Sequence, residues 1–158
     1  MKMQRGVALV EFAIVVPILI MLLVGLIEYG RYLYFTIEVG NAAHAGAQYG
    51  SRTQSSGVDF TGMKNAAIAD GQNAIVPLTV SNITAQNVCT CWNSATQTQT
   101  PATPSTSACS QNCTTGGRQV TYAQVTVTGT MSPLFNYAYL GLPSSWTVTR
   151  TATIQVLE

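Results

Sequence analysis

Glu11 is the one charged residue in a run of 21, VALVEFAIVVPILIMLLVGLI, that extends from Val7 to Ile27. A carboxylate near the edge of a membrane-spanning helix costs about 2 to 4 kcal/mol or more unless it finds a partner. Cutting the chain between Gly6 and Val7 would supply one. The new α-amino group of Val7 is a cation one helical turn from Glu11, in the same chain or in a neighbour packed alongside. Such a pair neutralises the buried charge and fixes the axial register of packed helices. The alternative is that Glu11 sits at headgroup depth and snorkels to water.

Cys89, Cys91, Cys109 and Cys113 form the second chemical group. C-x-C and C-x-x-x-C spacings can hold zinc. An even number of cysteines beyond an apolar run is, however, what disulfides in an oxidising compartment require. Four cysteines allow three pairings. In an antiparallel hairpin the nested one, Cys89 with Cys113 and Cys91 with Cys109, follows the strand order and is the expectation here. His44, the only histidine, has no adjacent Ser or Cys nucleophile and no second His, and reads as a helix-surface residue. No carboxylate pair, nucleophile and base set or phosphate-binding glycine loop occurs in the part after the apolar run. The expectation is therefore no enzyme: no catalytic residue, no metal site, no cofactor and no small-molecule substrate.

The elements that position these groups follow from composition. Of 158 residues, 7 are Lys or Arg and 6 are Asp or Glu, so 8% are charged against roughly 25% in ordinary soluble domains. The net charge of +1 excludes a nucleic-acid binder, which needs clustered cations to neutralise phosphates. The run from Val7 to Ile27 is long enough to cross the roughly 30 Å bilayer core. It is too long for a secretory h-region and lacks a cleavage site of that kind. Lys2 and Arg5 precede it without an acidic partner, whereas Glu28, Arg31 and Glu38 follow as a mixed set. The N-terminus is expected in the cytoplasm and everything after about Glu28 outside.

Past the run, the helix is expected to continue to about Gly50 as a stalk. Ala42, Gly46 and Gly50 recur every four residues, with Ala43 and Ala47 as an adjacent row. That stripe lets another backbone approach closely, either a neighbouring helix or the chain's own exported domain.

Gly50 to Gly57 reads as a break, after which Asp59 or Thr61 can cap a helix ending near Ile75, with Met63, Ala66, Ala67 and Ala74 on its apolar side. The period then becomes two. Val76, Leu78 and Val80 begin one strand that continues toward Val88, and Ala123, Val125 and Val127 alternate with polar residues in a second. In the last strand Trp146, Val148, Ala152, Ile154 and Val156 share one face and Thr147, Thr149, Thr151, Thr153 and Gln155 the other. Arg150 breaks the apolar face and is expected to reach a strand edge or a carboxylate such as Asp59 or Asp70. The tip of the Cys-bracketed loop 89–113, from Asn93 to Ser107, is expected to be an exposed neutral patch.

These residues carry a resemblance. R-G followed by V-E-F, Pro17 within the apolar run, E-Y-G-R at Glu28 to Arg31 and N-A-A-x-A-G-A at Asn41 to Ala47 resemble the TadE-like family of minor pilins, or pseudopilins, of the tight adherence (Tad) pilus system. The likeness covers about residues 4–50, with Gln48 where the family usually has Arg. It implies a prepilin peptidase that cuts after Gly6 on the cytoplasmic side. Val7 then becomes the mature N-terminus and Glu11 the assembly carboxylate.

The expected protein is thus α+β: a leader over residues 1–6, a transmembrane segment over 7–27, a helical stalk over 28–50 and an extracytoplasmic domain over 58–158 with a short helix and an antiparallel β-sheet. The expected partners are inner-membrane lipid, the prepilin peptidase, and other pilins or pseudopilins through the N-terminal helix. The expected function is assembly of a Tad/Flp-type pilus for surface adhesion. The other reading is a single-pass, membrane-tethered binding module that is not built into a pilus.

Overall fold

The computed structural model describes residues 4–73, 78, 82–100, 103–109, 113, 117–135, 141 and 143–157, with the backbone alone at 4–7 and 73. Helix α1, Gln4–Ser51, is unbroken for 48 residues, about 72 Å at the standard rise. Pro17 lies inside it; its missing N–H leaves one helical carbonyl without its usual donor. The helix ends where Ser51 Oγ bonds back to the Gln48 carbonyl at 2.9 Å and the polar break begins. A single turn, α2 (Gln54–Gly57), follows, opened by a capping box between Thr53 and Ser56. Helix α3, Phe60–Asp70, is capped by Asp59, whose carboxylate accepts from Gly62 N at 2.8 Å. It passes into a 3-10 turn at Gly71–Asn73, so the regular helix is shorter than the sequence suggests, and Ala74 and Ile75 lie outside the described residues.

Strands β1 (Ile83–Asn93), β2 (Thr98–Gln99), β3 (Thr103–Ser105), β4 (Arg118–Met131) and β5 (Trp146–Gln155) form one antiparallel sheet. The order is β2-β1-β4-β5, with β3 also on β1. Ile83 stands opposite Val127 and Trp92 opposite Arg118. Tyr122 stands opposite Gln155 and Met131 opposite Trp146. The first strand starts later than expected, at Ile83. Leu78 is buried outside it, packed on Gly71, so its apolar character serves helix packing; Val76 and Val80 lie outside the described residues.

One face of the sheet carries α1 and α3. Phe35, Val39, Ala42, Ala43 and Ala47 of α1 meet Met63 and Ala67 of α3 and Ala123, Val125 and Val127 of β4 in one core. The alternation expected of β4 and β5 holds, with Val148 and Val156 buried and the threonines outward. Arg150 lies on edge strand β5 opposite Val127. It is exposed and makes no ion pair with a described residue, Asp59 and Asp70 included.

The opposite face meets water mainly through neutral polar groups, with Arg118 at the far end of β4 as its charge. Thr126 and Thr151 hydroxyls lie 2.9 Å apart, Thr128 and Thr149 3.1 Å, and Thr130 and Thr147 3.3 Å. Gln86 Nε2 donates to Gln124 Oε1 at 2.6 Å, and Gln124 Nε2 to Thr153 Oγ1 at 3.2 Å. Directly opposed polar pairs of this kind support a two-strand register.

The disulfides are Cys89–Cys109 and Cys91–Cys113, not the nested pairs that a simple hairpin implies. The path of the chain gives the reason. After β1 it turns back along that strand's free edge, so that Gln99 faces Trp92, Thr103 faces Cys89 and Ser105 faces Asn87. To begin β4 opposite Trp92 it must then travel from the level of Asn87 to that of Trp92, in the same direction as β1. Cys109 therefore reaches Cys89 first, and Cys113 reaches Cys91.

Candidate functional site

The N-terminal half of α1 presents the first part of the site. Gly6 and Val7 are within the helical backbone, which starts at Gln4. Glu11 is exposed and has no ion-pair partner among the described residues. Around it Leu9, Val10 and Phe12 are also exposed, Phe12 at 67%. The large apolar residues on to Ile27 are exposed or half-exposed on every side of the helix, with Met21 at 79%. Water solvates a face like this poorly, and burial in hydrocarbon or against other helices is what stabilises it.

Burial begins at Glu28, which is 4% exposed. Its carboxylate accepts the Leu134 amide through Oε1 at 3.3 Å and Oε2 at 3.2 Å. It also pairs with Arg31 Nη1 at 3.4 Å. One turn further on, Tyr32 and Trp146 meet edge to face with centroids 5.9 Å apart. The end of the domain nearest the apolar half-helix is therefore fastened to α1 by a buried carboxylate and an aromatic pair. Sequence spacing placed Glu28 and Arg31 only as flanking charges; an acidic residue directly after an apolar run, with Arg three positions on, was the available signal.

The small-residue stripe is filled from within the chain. Ala42, Gly46 and Gly50 are buried, and a Cβ on Gly46 would stand 2.8 Å from the Met63 carbonyl oxygen and 3.1 Å from Val125 Cγ1. One on Gly50 would stand 2.8 Å from Ala123 Cβ. The glycines thus allow α3 and β4 to approach the α1 backbone. Asn41, His44 and Gln48 lie on the exposed side. Near the end of α1, Tyr49 donates its hydroxyl to Asp59 Oδ2 at 2.8 Å. The Gly62 N–H, and then the Tyr49 hydroxyl, hold the Asp59 carboxyl below its ordinary value. The same bond, and the negative charge of Asp59, push the Tyr49 phenol up.

At the far end of the sheet the apolar core gives way to cystines. Asn87 shares a face with Cys89 and Cys91, and its Nδ2 donates to the Ser107 carbonyl at 3.3 Å. Gln119 Nε2 donates to the Cys109 carbonyl at 2.9 Å. A cavity of about 400 Å³ lies between α2 and this cystine segment, lined by Gln54, Ser55, Asn87, Gln119 and Thr121 among others. The described residues of 93–107 are exposed or half-exposed and uncharged, as the sequence suggests.

Comparison with curated proteins and with solved structures gives no match. Residues 6–48 match the model of the family described as TadE-like protein, a pilin-like structural family. The likeness is confined to the N-terminal helix, and that match together with the apolar half-helix fits a Tad pilus-associated membrane protein.

Proposed function

We propose that the chain is a minor pilin, or pseudopilin, that takes part in assembling a Tad/Flp-type pilus. The carrying observation is the exposed apolar half-helix from Ala8 to Ile27, with Glu11 unpaired among the described residues, on a segment that matches the TadE-like family. In this reading α1 is held in the inner membrane with its N-terminus in the cytoplasm and the sheet domain outside. A prepilin peptidase removes residues 1–6. The amine of Val7 then pairs with Glu11 in the same or an adjacent subunit, and apolar packing between half-helices drives association.

The test combines processing and assembly. Protein purified from its native membrane should have the mass of the chain without Met1 to Gly6, and Glu11→Ala should insert normally yet impair piliation. A full-length mass from cells with an active peptidase, or normal piliation in Glu11→Ala, would overturn the corresponding part. The exposed, disulfide-tied hairpin supports a second reading, a tethered binding module. Deleting Asn93 to Ser107 separates the two, since loss of adhesion with intact pili favours binding and loss of pili favours assembly.

A further inference from the structure

The connections at the two ends of the sheet differ in chemistry. β4 runs antiparallel to α1: Ala123 packs near Gly50, Val125 near Gly46, and Gly129 near Phe35 and Val39. Ser132 to Phe135, which follow Met131, therefore lie at the end where α1 becomes the apolar half-helix, and the hairpin after Asn93 lies at the other end. The distal hairpin, NSATQTQTPATPSTS, is built from hydroxyls, amides and small residues. The proximal connection from Ser132 to Ser145, SPLFNYAYLGLPSS, has no charged residue and contains Leu134, Phe135, Tyr137, Tyr139, Leu140 and Leu142.

Its level along α1 is fixed. Glu28 follows Ile27 directly and holds the Leu134 amide through both carboxylate oxygens. Leu134 is nevertheless 55% exposed and Phe135 50%, and Leu26, Ile27 and Tyr29, which flank Glu28 in the helix, are exposed as well. Apolar side chains held outward at the level where a spanning segment leaves hydrocarbon meet the headgroup and acyl boundary, where amphipathic and aromatic residues are favoured.

From this juxtaposition we infer that the start of the chain after β4 is a second membrane contact, seating Leu134 and Phe135 in the bilayer interface beside α1. The inference rests on the reading that α1 spans a bilayer. The occupant is lipid, because Leu134 is tied to Glu28, the residue directly after the apolar half-helix, so the two exposed side chains lie at the end of that surface. Two attachments, α1 and this segment, would stop the domain from rotating freely about the helix and give the sheet a set pose over the membrane.

The test uses the full chain with its cystines intact, reconstituted in phosphatidylethanolamine and phosphatidylglycerol vesicles. An environment-sensitive thiol probe is placed at Leu134→Cys, at Phe135→Cys and, as the distal reference, at Thr96→Cys. Probes at 134 and 135 should be blue-shifted and quenched several-fold more strongly by shallow spin-labelled lipid than the probe at 96. The second position guards against a label at 134 that disturbs the amide tie to Glu28. Water-like emission at both 134 and 135, with α1 resistant to carbonate extraction, overturns the interfacial contact and leaves the spanning helix standing. Release of the whole chain by carbonate overturns the spanning reading and the contact with it.

Discussion

Between Ala8 and Ile27, α1 turns apolar side chains outward on every side, whereas from Glu28 to Ser51 it turns one face toward a sheet and a second helix. Backbone geometry is the same in both halves; the arrangement of side chains differs. The second half buries Glu28, Phe35, Val39, Ala42, Ala43, Gly46, Ala47 and Gly50, a recurrence at three, four and seven positions, two residues wide at 42–43 and 46–47, that keeps one face toward a partner. In the first half, apolar residues occupy consecutive positions and no face is distinguished. A one-sided pattern lets the chain cover itself, and an all-round pattern requires an apolar environment outside the chain. The helix that would carry the domain out of the membrane is also the spine of that domain's core.

The largest expected effect separates the halves. A side chain on Gly46 meets the backbone oxygen of Met63 at 2.8 Å, an atom that can move only if α3 moves. Overpacking of a close contact typically costs about 1 to 3 kcal/mol, occasionally more, so Gly46→Val should open the domain to proteolysis. Membrane retention should be unchanged, because nothing in Ala8 to Ile27 packs against the altered site. Carbonate extraction with limited proteolysis of the same sample checks both points. Loss of retention together with loss of the domain would mean that the halves are not independent.

The contrast continues along the sheet. The apolar core follows α1 and stops where that helix stops, near Ala123 and Val156, and beyond it the same face carries Asn87, Cys89 and Cys91. There the restraint is covalent, with sequence separations of 20 and 22. Closing loops of that size stabilises by about 3 kcal/mol in the chain-entropy account. The two loops overlap, so the contributions do not simply add. Replacing Cys89 and Cys109 together by Ser should therefore cost up to about 3 kcal/mol. The loss should be local, with hydrogen exchange rising at 87–93 and 103–109 while 125–131, packed on Phe35 and Val39, stays protected. Equal loss of protection along β4 would show one cooperative unit instead of two differently held ends.

The sequence carried the half-helix and the strand faces because each depends on local pattern. Twenty-one consecutive residues with one charge describe a span, and Ala123, Val125 and Val127 between polar neighbours describe a half-buried strand. Disulfide order was not legible in this way. It depends on the direction taken between Ser105 and Arg118, which cysteine spacing does not encode. The tie from Glu28 to the Leu134 amide crosses 106 positions and has no local signature. For the site, Glu11 stood out as a charge where charge is costly. The stripe of Ala42, Gly46 and Gly50 was ambiguous, because small residues admit any close neighbour, and the chain's own α3 and β4 fill it.

The smallest expected effect concerns the point where α1 hands over to α3. Asp59 is held below its ordinary carboxyl value of 3.8, first by the Gly62 N–H and then by the Tyr49 hydroxyl. A depressed folded-state value means that the stabilisation is present above pH 3.8 and is lost as pH falls through the folded value below it. Tyr49 is raised above 10.0 by the same bond, so its contribution is present below pH 10.0 and is lost as pH rises through the folded value above it. The pair thus contributes across the interval between the two. In Asp59→Asn the amide oxygen can still cap α3 but does not titrate, so the melting temperature should shift by only a few degrees at neutral pH. The acid-side decline should become shallower than in the parent chain. Tyr49→Phe should flatten the alkaline side and, because the Tyr49 hydroxyl is the second group holding Asp59 down, soften the acid side slightly as well. Thermal unfolding of the detergent-solubilised full chain, followed by near-ultraviolet circular dichroism, reads the domain, while the far-ultraviolet helix signal retained above the transition reads the apolar half. Parallel pH profiles for parent and both variants would remove this junction from the forces that join α1 to the domain.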